Sequence, residues 1–153
     1  MLDTENSIET SIGTGLLEGY LRESKTGLIG LANGMNFGEK AVADHKLLVV
    51  KSVQTLAEIM RDPALHTTKL SFDKASDWII KITPLIGIMI RVQGSIGSDK
   101  LAAIGRVISS LNKAKDQLQE VINELQMELD QEELKLKAQI AALEASQTDT
   151  SSS

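Results

Sequence analysis

The feature that most constrains this chain is a long C-terminal segment that contains no helix-breaking residue. Beyond Gly105 the sequence has neither glycine nor proline, and its apolar residues recur at alternating steps of three and four, which is typical of a coiled-coil helix. The spacing predicts a helix over 98–145, with Ser98 as N-cap. Such a helix is about 70 Å long, whereas a compact domain of this size is about 30 Å across. We therefore expect it to project, to fold back as a hairpin, or to pair with another copy.

The apolar residues of this helix predict a surface for self-association. Lys115, Glu132 and Gln139 interrupt the seven-residue pattern, and the mixture of Ile and Leu leaves the oligomer number open. We expect aspartate at Leu118 or Leu125 to weaken assembly while leaving most of the helix intact. The predicted seam consists of Leu111, Leu118, Ile122, Leu125, Leu129, Leu136 and Leu143.

Helical spacing also dominates the rest of the chain, so we predict an all-α fold. The expected architecture is a helical bundle or hairpin with a long C-terminal coiled-coil-like helix, in one domain over 1–153 whose ends, 1–13 and 146–153, are flexible. The shorter helices are expected to pack on the N-terminal half of the long one, which leaves its C-terminal half for a partner. They are predicted near 14–31, 39–61 and 71–91.

Glycines recur through the first forty residues, and two interpretations stay open. If residues 14–38 form one helix, the glycines lie on one side of it, as in close helix packing between small residues. The alternative is a pair of loops, because each interior glycine costs a helix about 1 kcal/mol and Asn33-Gly34 is a common turn dipeptide. The predicted helix-packing residues are Gly15, Gly19, Gly30, Gly34 and Gly38.

A concentrated apolar run lies between residues 78 and 90. We favour a buried core helix, which Pro84 should bend or end, although a strand over 85–92 stays open. The run of thirteen residues is too short to span a bilayer, yet basic residues flank it, which suits an anionic membrane surface. The candidate membrane contacts are Trp78, Ile79, Ile82, Ile86 and Ile90.

Charge and composition exclude several functions. The net charge is −5, aromatic residues make up 3%, and cysteine is absent, so there is no electrostatic or stacking signature for nucleic acid and no thiol or disulfide chemistry. Acids outnumber bases by five to two in residues 1–26 and by nine to four in residues 113–153, whereas residues 27–112 carry ten bases and seven acids. The N-terminus lacks the pattern of a signal peptide, so cytoplasmic synthesis and a soluble protein are the default expectation.

No residue pattern indicates catalysis, a cofactor or a metal. Gly13, Gly15 and Gly19 miss the dinucleotide-binding spacing by one residue and follow no strand. His45 and His66 lack ligand spacing, and they are read as solvated or locally hydrogen-bonded side chains. Asp73 and Asp77 are read as a solvated pair near a helix start.

Two functional hypotheses follow from these patterns. The first is a non-enzymatic structural or interaction protein that self-associates into an oligomer or filament, or that presents its C-terminal helix to another protein. The second is a membrane-active helical protein that uses the run over 78–90. Self-association is the stronger hypothesis, because the predicted helix is too long for its own domain.

Overall fold

The computed structural model describes residues 2–34, 40–67, 69–94 and 96–152, and within them the side chains of 15–34, 43–67, 69–94 and 96–147. These residues contain four α-helices and no strand, which confirms the all-α class. Single turns of 3-10 helix precede α3 and α4 at Pro63–His66 and Ser98–Lys100. The helices are α1 (Leu2–Gly34), α2 (Lys40–Arg61), α3 (Phe72–Gln93) and α4 (Leu101–Ser152).

The first and last helices are longer than predicted. Helix α1 begins at Leu2, ahead of the predicted start near residue 14. No glycine or proline lies between Leu2 and Ile12, so no strong helix breaker interrupts this part of the chain. Helix α4 continues to Ser152, past the predicted end at 145. Ser98 lies in the 3-10 turn instead of capping α4.

Helix α3 begins where its cap predicts and continues through its proline. The Ser71 hydroxyl accepts a hydrogen bond from the Lys74 amide at 3.2 Å. Pro84 lies inside the helix, so neither an end at Pro84 nor a strand over 85–92 occurs. Because Pro84 is on the exposed side, water can reach the carbonyl that loses its N–H partner.

The helices form an intramolecular bundle in which α1 and α3 each contact both α2 and α4. Helices α1 and α4 are antiparallel, because the Gly34 carbonyl accepts a hydrogen bond from Lys100 Nζ while Ser110 Oγ donates to Glu23 at 3.1 Å. Helices α1 and α3 therefore pack on the N-terminal half of α4, as predicted, whereas α2 packs mainly on α1 and α3, so the prediction is wrong for α2. The largest fully buried side chains are Trp78, Leu17, Leu21, Leu28, Leu56, Ile59, Leu65, Ile82, Met89, Ile104, Leu111 and Leu118.

Candidate interaction surface on the projecting helix

Helix α4 is divided between a covered half and an exposed half. Ile104, Leu111 and Leu118 are fully buried against the other helices. By contrast, every side chain from residue 126 to residue 147 is exposed. We call residues 126–147 the projecting segment. At 1.5 Å per residue it is about 33 Å long, so it extends well beyond the bundle.

The predicted seam is divided at the same boundary. Leu111 and Leu118 are 0% exposed, so their assignment to a surface for self-association is wrong in this structure, and they belong to the core. The expectation that aspartate at Leu118 would spare the fold is corrected for the same reason. The remaining positions, which we call the outer seam, are Ile122, Leu125, Leu129, Leu136 and Leu143.

The outer seam becomes more exposed with distance from the bundle. Ile122 and Leu125 are half-buried at the bundle edge, whereas Leu129, Leu136 and Leu143 are 60%, 56% and 65% exposed. A helix keeps an apolar stripe of this kind when a partner or a core covers it. Of the described residues, none covers this one.

Three further apolar side chains of the projecting segment were missed from the sequence. Ile140 is 54% exposed and lies one turn from Leu136, beside the outer seam. Met127 and Leu134 are 60% and 65% exposed, and at about 100° per residue they lie on the opposite side of the helix. Their spacing of seven residues was the available signal, but the stronger leucine pattern obscured it.

The projecting segment is acidic, with five carboxylates and two lysines. Lys135 Nζ lies 3.5 Å from Glu132, and Lys137 Nζ lies 3.2 Å from Glu133. Lys69, which precedes α3, reaches Glu128 at 3.8 Å. All of these side chains are well exposed, so each pair contributes about 1 kcal/mol or less and is free to exchange partners.

Three of the predicted helix-packing glycines have no close neighbour within the bundle, so packing against a second copy stays a prediction there. A Cβ atom built on Gly15, Gly19 or Gly30 meets nothing within 4 Å, so no helix of the bundle packs closely there. Close approach occurs instead at Gly27, where a Cβ would lie 2.5 Å from Val107 Cγ2 on α4. Sequence spacing could not single out Gly27 among similar glycines.

The two remaining predicted glycines differ from one another. At Gly34 a Cβ would meet the flexible end of Lys100, so no backbone packs closely there either. Gly38 lies outside the described residues. The structure does, however, favour one continuous helix over the pair of loops, because α1 runs unbroken to Gly34.

The candidate membrane run is largely core. Trp78 and Ile82 are 1% and 0% exposed, so they are not available for membrane contact in this structure, and the interpretation as a core helix holds for them. Ile79 and Ile86 are half-buried. Only Ile90 of the five candidates is exposed. Among the described residues, no helix has the length and apolar character needed to cross a membrane.

A shallow basic groove of about 530 Å³ lies between α1 and α4. It forms beside Gly27, and Arg22, Arg106 and Lys113 line it. Arg22 is paired with Glu18 at 2.7 Å, and Lys113 Nζ lies 5.7 Å from the centre of the Tyr20 ring. Two of the three basic side chains that line the groove, Arg22 and Lys113, are therefore already in contact with other side chains of the bundle.

The histidines and carboxylates of the described ranges are engaged in pairs or stand apart from one another. No group of three or more histidines and carboxylates lies close enough to hold a metal there. His66 Nδ1 is 3.9 Å from Glu18, and the buried His45 Nδ1 has no hydrogen-bond partner. Asp77 pairs with Lys81 at 3.1 Å.

One carboxyl group has a clearly shifted pKa. The hydrogen bond from Lys74 and that from the Ala64 amide hold the pKa of Asp62 below its ordinary value of 3.8. Asp62 connects α2 to the turn before α3, so this shift reflects a structural contact between helices.

A scan against protein-family models and searches of curated proteins and of solved structures found no match to this chain.

Proposed function

We propose that this chain is a non-enzymatic helical interaction protein that self-associates through the outer seam. One observation carries the proposal: α4 continues the seven-residue repeat of the core outward, but beyond Leu125 no described helix covers it. Fully burying one leucine side chain contributes about 1.5–3 kcal/mol. Pairing two seams supplies that burial to both copies.

The charged residues around the outer seam help a single copy to stay in solution before it pairs. Leucines alternate with charged side chains around the projecting segment, and the acidic excess keeps single copies apart until their seams are aligned. Glu132 and Gln139 interrupt the seam. Polar residues at such positions lower stability but specify alignment and oligomer state.

The test is the molar mass in solution at micromolar concentration, measured by sedimentation or mass photometry. We expect a multiple of the 16.6 kDa chain, and we expect the variant Leu129→Asp/Leu136→Asp to return to the single-chain mass with unchanged helix content. Leu134→Asp, on the opposite side of the helix, is the matched control and should retain the assembly. A wild-type chain that stays monomeric at tens of micromolar would contradict the proposal.

A second candidate function is binding to an anionic membrane surface through the outer face of α3. Ile80 and Ile90 are 69% and 59% exposed. Arg91 follows Ile90, and Lys81, which follows Ile80, is held by an exposed pair with Asp77 at 3.1 Å. Apolar side chains beside cations suit the headgroup region of an anionic bilayer. Flotation with vesicles that contain or lack anionic lipid tests this function. The variant Ile80→Asp/Ile90→Asp should abolish flotation. If the wild-type chain floats with neither kind of vesicle, this candidate function is excluded.

A further inference from the structure

The charges of the projecting segment specify how two copies would align. If two copies self-associate as proposed, their two outer seams run either parallel or antiparallel. In a parallel pair each seam residue meets its own counterpart. Glu132 would then face Glu132 of the second copy inside the interface, with no cation at seam positions of the projecting segment to compensate it.

The flanks of the seam also oppose a parallel pair. Glu128 and Glu133 lie on opposite edges of the seam, five residues apart. In a parallel coiled coil such residues approach each other across the interface. Glu128 of each copy would therefore meet Glu133 of the other, which adds two like-charge contacts to the one at Glu132. These contacts lie on the exposed part of the helix. Lys69 reaches Glu128 at 3.8 Å, but both side chains of that pair are well exposed, so it screens the like charges only weakly.

The antiparallel alignment reduces these conflicts. With Leu125 opposite Leu136 of the second copy, Leu129 lies opposite Glu132 of the second copy, so the two Glu132 side chains no longer face each other and lie about 4.5 Å apart along the helix axis. Glu128 then approaches Lys135 of the second copy, and two-fold symmetry produces the same contact twice. Lys135 is held only by an exposed pair with Glu132, so it can reorient toward a second carboxylate.

We infer that two copies pair as an antiparallel, two-fold dimer along residues 122–139. The alignment ends with Ile122 opposite Gln139 of the second copy. Leu143 contributes little, because its counterpart would be Leu118, which is already buried in the bundle. The two bundles therefore lie at opposite ends of the paired helices.

Single cysteines test the orientation, because the chain contains none of its own. Ile122→Cys and Gln139→Cys are prepared separately and mixed in equal amounts. The mixture is oxidised, and intact mass identifies the linked species. A disulfide requires Cα atoms about 4.4–6.8 Å apart. We expect the mixed disulfide between the two variants and no disulfide within either variant alone.

The other outcomes separate the orientation from the self-association itself. Efficient linking of Gln139→Cys alone means a parallel pair and overturns the antiparallel inference while self-association stands. A dimer by mass that forms no disulfide overturns the alignment of Ile122 with Gln139. A wild-type chain that is monomeric by mass overturns both the inference and the proposed function.

A charge exchange tests the alignment without cysteine. Lys135→Glu should raise the dimer dissociation constant about ten-fold, because two attractive contacts become repulsive. Adding Glu128→Lys to the same chain should restore most of the lost association, since the pairs between copies are re-formed with reversed sign, even though the exposed pair of Glu128 with Lys69 is lost. Failure of this second change to restore association would contradict the antiparallel alignment.

Discussion

The two halves of α4 carry the same side chains in opposite surroundings. Leu111 and Leu118 are 0% exposed, whereas Leu129 and Leu136 are 60% and 56% exposed. All four follow one helical repeat, so the repeat determines which side of the helix is apolar. What it does not determine is how far along the helix that side is covered.

Coverage is set by the lengths of the neighbouring helices. Helix α4 has 52 residues, whereas α3 has 22. The contact between Lys69 and Glu128 marks the level at which the chain that leads into α3 reaches α4. Beyond that level the seam has no intramolecular neighbour among the described residues. A hydrophobic repeat therefore indicates a binding face, and only the partner helices decide whether it is core or interface.

The largest expected effect is on stability, and it separates the covered half of α4 from the exposed half. Leu118→Asp places a charge in the core, and burying an unpaired carboxylate costs several kcal/mol, comparable with the whole stability of a typical domain. We expect this variant to lose its cooperative thermal transition by circular dichroism. Leu136→Asp should unfold at the wild-type temperature when measured at a concentration where the chain is monomeric. Similar melting of the two variants would erase the distinction between the halves.

Hydrogen exchange sharpens the comparison along a single helix. Amides without tertiary cover open locally at little cost, whereas core amides exchange only by global unfolding. At concentrations below self-association we expect amides over 128–145 to exchange at least about a hundred-fold faster than those over 104–118. At high concentration the seam amides should slow down while those over 104–118 stay unchanged. Equal protection of both ranges in the dilute sample would contradict the exposure of the projecting segment.

Alanine substitutions at two glycines of α1, the helix that packs on α4, should have smaller and opposite effects on stability. In Gly27→Ala the new Cβ would lie 2.5 Å from Val107 Cγ2, and Val107, only 2% exposed, has little room to move. Overpacking of this kind costs about 1–3 kcal/mol. Gly30→Ala meets open space and should gain up to about 1 kcal/mol of helix propensity. Urea denaturation should show opposite signs, and a stabilised Gly27→Ala would argue against close packing of α1 on α4.

The smallest expected effect concerns a charge in the bundle and one outside it. The pKa of Asp62 is lowered in the folded chain, chiefly by Lys74. Its contribution to stability is therefore present above the ordinary value of 3.8 and is lost as pH falls through the folded pKa. Asp62→Asn should lower the melting temperature slightly at pH 7 but not in strong acid. Glu132→Gln is the control on the projecting segment, and it should leave the melting temperature of the monomer unchanged at both pH values.

Local signals explain which parts of the fold were predictable. The Ser71 cap placed the start of α3, and the absence of glycine and proline after Gly105 predicted α4. Pro84 was expected to bend or end α3, but its helix continues, because the exposed side of a helix accommodates the missing hydrogen bond. All three cases concern forces that act within a few residues of the chain.

The candidate site depends on distant contacts, so it was only partly predictable. Leu129 and Leu136 were assigned to a seam from their spacing alone, and the same spacing assigned Leu111 and Leu118 wrongly. Gly27 looks like any other glycine in the sequence. It is distinguished only by Val107, eighty residues away, since side-chain spacing along one helix carries no information on what lies across from it.

Because α4 is one continuous helix, it fixes both the distance of the outer seam from the bundle and the direction in which the seam faces. Each residue advances the helix by about 1.5 Å and turns it by about 100°, so one alanine inserted after Leu125 would rotate the outer seam away from the direction set by the core. Seven inserted residues would return the seam to within about 20° of its original direction while moving it about 10 Å outward. The distance between two joined bundles can therefore change in steps of seven residues without changing the side on which they meet.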